Sequence, residues 1–313
     1  MVLKEKHHLL GEDYLIKGYS YALLATVAGS TVYIFSKAAF NQVSLAQFGV
    51  YWFAMAIFWN VLYTLRSAEH RQVHHITPHS FKMLLLIGLI ELVATGTFYA
   101  AIRASENPAI PSFLRNMEYI FVTLMGVFLL RERFTRMEVA GVILTFSGAF
   151  VISYNKNASL ASYLTGTSGL MLVSTIFYGF RTILAKNNIH LLTPTILAIN
   201  RAVFLFIFSF AMLLILGQGL AIPGKALLNI AIGSFFGPFL TSIGQYSALK
   251  YIEASRSAII QSTTALFVLL GGYLIFGRFP LGYQLAGGAL TIAGPVLLLL
   301  ARSSNSSQYC HGK

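Results

Sequence analysis

Charge is scarce in this chain of 313 residues: Asp, Glu, Lys and Arg together make up 10% of it, against 56% hydrophobic residues. A soluble protein of this length needs more polar surface than that, and with a mean hydropathy of +0.70 the chain is expected to live in a bilayer. Acidic residues are the scarcest, 10 against 22 Lys and Arg, for a formal net charge of +12. The basic residues are scattered between apolar runs rather than gathered on one water-exposed face, so nucleic-acid binding is not expected. Cysteine is nearly absent. Cys310, alone in a polar tail, excludes an intrachain disulfide and a cysteine-rich metal site. The first sixteen residues carry charges and no short apolar core ahead of a cleavage site, so no removable signal peptide is expected. No Walker-type phosphate loop occurs, which argues against direct use of ATP, and no cofactor is expected.

What fills the chain instead is apolar runs. A helix needs roughly 20 apolar residues to cross the hydrocarbon. Reading with that ruler between charged or Gly/Pro-marked breaks predicts an all-α integral membrane protein with ten spans, at about 17–36, 45–65, 81–102, 111–130, 138–154, 167–185, 193–216, 227–249, 255–276 and 283–301. The loops are too short for a soluble domain, and the polar run Ser303-Ser-Asn-Ser-Ser-Gln predicts a disordered tail over 302–313. With a cytoplasmic amino terminus, fourteen Lys and Arg fall inside, from Lys4 to Lys313. Five, Lys37, Arg103, Lys156, Lys225 and Arg278, fall outside, and three lie within spans. That asymmetry places the tail 1–16 and the carboxyl-terminal tail in the cytoplasm.

The chain also repeats itself. Residues 121–148 and 267–294 align without a gap and share nine identities, Phe121, Val122, Leu124, Gly126, Ala140, Gly141, Leu144, Thr145 and Gly148. A duplicated membrane module is the simplest reading, with repeats over 17–155 and 166–301. Five spans per copy is an odd number, so the second copy enters the membrane from the opposite side. Inverted repeats of this kind recur in secondary transporters, where two halves exchange conformations around a central site.

At Leu129-Leu-Arg-Glu-Arg-Phe, with Gly141-Val-Ile-Leu-Thr-Phe-Ser-Gly beyond it, the chain resembles the drug/metabolite transporter superfamily, in particular its EamA-type members. The resemblance covers about 17 to 301 and includes Gly29-Ser30 and Tyr178-Gly179 near the start of each half. It implies ten helices in two five-helix repeats and movement of small metabolites across a plasma membrane. Two departures stand out: Arg278 occupies the place of Glu132 in the other copy, and Trp52 that of Arg201. The halves are therefore chemically unequal.

A charge at the bilayer centre costs ~2.5 to 3.5 kcal/mol on insertion scales, so ionisable residues within spans default to function. Five occur: Glu91, Arg115, Glu118, Arg181 and Arg201. Arg181 lies near the end of its span, where reaching back to the surface is as good an explanation as a role inside. Arg115 and Glu118 share one helical face, so they can pair with each other and with Asn116 or Tyr119 nearby, either as a structural salt bridge or as a cavity lining. With both glutamates ionised the five sum to one positive charge, which suits a carboxylate-bearing substrate; a protonated glutamate would instead couple transport to a proton gradient. Extending the repeat sets Glu91 against Pro238 in Gly233-Ser-Phe-Phe-Gly-Pro, where a kinked helix marks either the binding region or close helix packing. The ninth span opens on Gln261-Ser-Thr-Thr, matched to Arg115-Asn-Met-Glu, which makes Gln261 and Thr264 candidates, and Tyr99, Tyr178 and Tyr246 are further candidates for the cavity wall.

Three other signals are set aside. His70, His74, His75 and His79 have helical spacing but no carboxylate beyond Glu69 to complete a metal site, so no metal is expected. Gly166-Thr-Ser-Gly resembles a protease serine motif without a histidine in any span to act as base. Asn157-Ala-Ser is a glycosylation sequon. The expected function is secondary transport by alternating access, with export of an amino acid or related small, carboxylate-bearing metabolite as the first expectation. Exchange of phosphorylated or nucleotide-linked metabolites through Arg115, Arg181 and Arg201 is the rival. An intramembrane enzyme or a non-transporting scaffold is the alternative of another class.

Overall fold

The computed structural model describes residues 2–66, 77–130, 136–154, 166–252, 257 and 260–310. Arg131 to Thr135 of the family-like motif, His70, His74 and His75, and the Asn157 sequon lie outside the described residues. All regular structure among the described residues is helical. The first half holds α1 (Val2–Phe40), α2 (Leu45–Arg66), α3 (Pro78–Ala104), α4 (Ala109–Leu114 and, after a two-residue break, Met117–Leu130) and α5 (Arg136–Ser153). The second holds α6 (Thr167–Asn188), α7 (Pro194–Ile215), α8 (Gly224–Tyr251), α9 (Thr264–Phe276) and α10 (Gly282–Cys310). Among the described residues α1 from Leu15, α2, α3, α6, α7 and α8 are long and apolar enough to cross a membrane. Their outward faces leave side chains such as Phe58, Leu89 and Ile215 exposed, as lipid-facing residues would be.

Local chemistry sets the helix limits. Thr77 and Thr193 each cap a helix whose first residue is proline, accepting from Ser80 N at 3.1 Å and Ile196 N at 3.3 Å. The tail expected to be disordered continues α10 as helix to Cys310. Ser, Asn and Gln cost only a few tenths of a kcal/mol each in a helix that the apolar segment has already nucleated. The tail 1–16 likewise joins α1 as helix from Val2.

Helices α4 and α9 are not the continuous spans expected. Around Arg115 and Asn116 the chain tightens to i→i−3 bonding, with Asn116 N donating to Phe113 O and Tyr119 N to Asn116 O; Thr263 N does the same to Ile260 O. The two breaks fall at matching positions of the repeat. Such tightening leaves backbone groups without intrahelical partners, and it sits where the polar clusters are. The kink expected at Gly233–Pro238 is a π-helical stretch, Phe235–Thr241. Pro238 has no N–H to donate, and Thr241 Oγ1 turns back to Phe236 O at 2.8 Å.

The halves pack as mirror roles. α5 lies on α10 and α2 on α7; α3 lies on α6 as α1 lies on α8; α4 lies on α6 as α1 lies on α9; α3 touches α7 as α8 touches α2. Each pairing returns when the halves are exchanged, the mark of an approximate two-fold axis. The repeated glycines show its direction. A Cβ on Gly148 would meet Gly287 O at 2.5 Å, and one on Gly294 would meet Gly141 O at 2.6 Å. Numbers rise along α5 as they fall along α10, so the paired helices are antiparallel and the repeats inverted.

Candidate functional site

Between the halves lies a cavity of about 70 Å³, walled on one side by α1, α8 and α9 and on the other by α3, α4, α6 and α7. Seven of the residues singled out in the sequence line it: Tyr99, Arg115, Asn116, Tyr178, Arg201, Gln261 and Thr264. The other four, Glu91, Glu118, Arg181 and Tyr246, are buried behind that wall.

The five span charges form one alternating chain. Arg115 Nε donates to Glu118 Oε2 at 2.6 Å; Glu118 Oε1 meets Arg181 Nη2 at 3.3 Å; Arg181 Nη1 meets Glu91 Oε1 at 3.4 Å. Glu91 Oε2 stands 3.3 Å from Arg201 Nε, at ion-pair distance but off line for a hydrogen bond. Exposure separates the members. The side chains of Glu91, Glu118 and Arg181 are 0%, 3% and 1% accessible, whereas Arg115 and Arg201, at the two ends, keep 20% and 11%. Arg181 therefore does not reach for the surface. Its position one turn behind Tyr178 points it inward, where it takes one oxygen from each glutamate and bridges them.

Neutral groups complete the network. Thr95 Oγ1 donates to Glu91 Oε2 at 2.7 Å and so must accept from Tyr178 OH at 2.8 Å, having one proton to give. Thr182 Oγ1 donates to Glu118 Oε1 at 3.1 Å. Arg201 donates to Ser242 Oγ at 3.1 Å, and Arg181 to Gln245 Oε1 at 3.4 Å and Tyr246 OH at 3.5 Å. Tyr178 carries cations on its ring: Arg115 Cζ lies 3.9 Å and Arg181 Cζ 4.9 Å from its centroid. Sequence reasoning missed Thr95, Thr182, Ser242 and Gln245, and also Tyr33 in the cavity wall.

The sequence alternatives combine here. Arg115 and Glu118 pair structurally, yet Arg115 still faces the cavity. Pro238 and Gly237 line the cavity, while a Cβ on Gly233 would meet Trp52 Cη2 and Phe35 Cβ at 2.6 Å, so the same stretch serves close packing too. Helix α3 is regular at Glu91, and the backbone irregularity belongs to α8 alone of that pair. Arg278, exposed, pairs with Glu106 at 3.7 Å far from this network.

The EamA-like transporter family is matched twice along the chain, over residues 16–154 and 167–300. Two proteins of Archaeoglobus fulgidus, each named as an uncharacterized transporter, resemble it. One is 27% identical over 201 residues, 63% of this chain and 69% of its own; the other is 21% identical over 188 residues, 60% and 59% respectively. A solved protein structure shares the fold with a TM-score of 0.65 over 92% of this chain and 99% of its own, at 15% identity.

Proposed function

The chain belongs to the EamA-like transporter family, a multi-pass membrane transporter, and from that premise we propose that it moves a small carboxylate-bearing metabolite across the plasma membrane by alternating access. Export is the direction that the family resemblance favours, with both termini cytoplasmic, and amino acids and related carboxylates are the substrate classes it leaves to be separated. The observation that carries the reading is the net charge of the ion chain. Three guanidiniums face two carboxylates, and the surplus sits on Arg115 and Arg201, whose exposed edges look into the cavity. A carboxylate there gains charge-assisted hydrogen bonds from forked donors in a site shielded from bulk water. Both η-nitrogens of Arg181 are already engaged, which leaves two arginines rather than three for an anion and favours a carboxylate over the phosphorylated substrates of the rival reading.

Two lysines support alternating access. Lys37, in the last turn of α1, donates to Arg103 O in the last turn of α3 at 3.2 Å. Lys186, in the last turns of α6, donates to Leu249 O at the end of α8 at 2.9 Å. Because the repeats are inverted, these contacts lie at opposite faces. Each joins the unit α1–α8–α9 to the unit α3–α4–α6, one above the cavity and one below. Opening one face requires release of one lysine. The ion pairs of this network lie among α3, α4, α6 and α7, and what crosses from it to α8 is arginine hydrogen bonds to uncharged acceptors, worth about 1.5–3 kcal/mol each. Rocking therefore leaves the buried charges paired.

Reconstituted protein should show saturable uptake of labelled small carboxylates, lost by at least about tenfold in Arg201→Gln and Arg115→Gln while both variants keep their helical circular dichroism. Wild-type uptake in both variants would remove this cavity as the site.

A further inference from the structure

We infer that the cavity selects net anions and rejects zwitterions, so that the carried metabolite bears a carboxylate and no ammonium group. The inference rests on the carboxylate reading above and narrows it. An amino acid presents two charges, and a site for it needs a partner for each. Partners for the carboxylate are present in Arg115 and Arg201. For the ammonium, the described residues offer no carboxylate: the cavity wall includes neither Glu91 nor Glu118, and every oxygen of these two is within ion-pair distance of an arginine.

The duplication explains the vacancy in chemical terms. Both acids come from the first repeat, and the second repeat places Thr264 at the position of Glu118 and Pro238 at that of Glu91. The side of the cavity where a second acid would stand is thus neutral. Of the aromatic rings in the wall, Tyr178 and Phe98 already hold Arg115, 3.9 and 5.2 Å from their centroids, and Tyr33, Tyr99 and Tyr119 bring no formal charge to balance an ammonium. What remains opposite the arginines is uncharged: Tyr33, Thr241, Gln245, Gln261 and Thr264. Amides and hydroxyls suit a hydroxyl or carbonyl oxygen on the substrate, whereas an ammonium placed there is a buried charge with no counter-ion beside a network already one unit positive.

Matched pairs test this directly: L-lactate against L-alanine, 2-hydroxyisocaproate against leucine, and phenyllactate against phenylalanine, as labelled substrates in proteoliposomes. Within each carried pair the hydroxy acid should exceed its amino acid by at least about tenfold in kcat/KM. Amino acids carried as well as or better than their partners would overturn the selectivity and leave the carboxylate reading standing. Uptake of neither member of any pair would overturn both. Gln261→Glu puts an acid into the neutral wall, and it should raise amino acid uptake and lower hydroxy acid uptake, closing the ratio; an unchanged ratio in a variant that still transports would contradict the assignment of that wall.

Discussion

At the scale of single residues, Arg181 is the centre of the ion chain. It joins two buried carboxylates, each of which has one further arginine partner. Removing one member of a buried pair leaves a charge without compensation, at about 3–5 kcal/mol. Arg181→Gln strands two acids with one partner each in a fully buried place, whereas Arg115→Gln acts at the accessible end of the chain. Thermal unfolding in detergent should therefore show a clearly larger loss for Arg181→Gln than for Arg115→Gln, and the reverse order would contradict the hub assignment. The sequence exposed all five charged members, because the cost of a charge in hydrocarbon makes each one conspicuous. Two tyrosines beside them, Tyr178 and Tyr246, were also singled out, but their threonine partners were not legible. A hydroxyl in a span is inexpensive when it bonds back to its own helix, as Thr26 does to Ala22 O and Thr175 to Met171 O, so nothing in the sequence separates Thr95 and Thr182 from such residues.

At the scale of helices, the lysine contacts give the two faces separate locks. In a Cys310→Ser background with a reporter cysteine at Ser112, which lines the cavity, Lys37→Gln should speed labelling by an impermeant thiol reagent added at the face where α1 and α3 end. Lys186→Gln should speed labelling from the other face. Acceleration from the same face in both variants would rule out paired locks. The proline in α8 was readable as an interruption, since its missing N–H cannot be disguised. The breaks in α4 and α9 were not, because Arg115, Asn116 and Thr263 have no strong local preference for tightening; packing around the cavity imposes it. Lys37 and Lys186 gave no signal either. A lysine near a helix end reads first as a topology determinant, and only the tertiary fold brings a second helix C-terminus within its reach.

At the scale of the whole molecule, the duplication was plain in the sequence while the task of its most repeated residues was not. Gly141, Thr145 and Gly148 return as Gly287, Thr291 and Gly294, and in the fold the two sets face one another across the pseudo-two-fold axis as the seam between α5 and α10. Small residues let these backbones approach where apolar side chains offer no advantage over lipid. The identities thus record a self-complementary contact, in which each copy must keep the residue that its twin packs against. The seam makes a quantitative prediction. A Cβ at Gly148 would stand 2.8 Å from Thr291 N, and one at Gly287 would stand 2.8 Å from Gly148 O, whereas a Cβ at Gly96 meets nothing within 4 Å. Gly148→Ala and Gly287→Ala should each destabilise the protein by about 1–3 kcal/mol, and Gly96→Ala should be neutral or slightly stabilising. Once either alanine has pushed α5 from α10, the second Cβ enters space already opened, so the double variant should lose less than the sum of the two singles. Unfolding measured on the four variants in one detergent decides it: additive losses would mean that the two glycines do not share a seam.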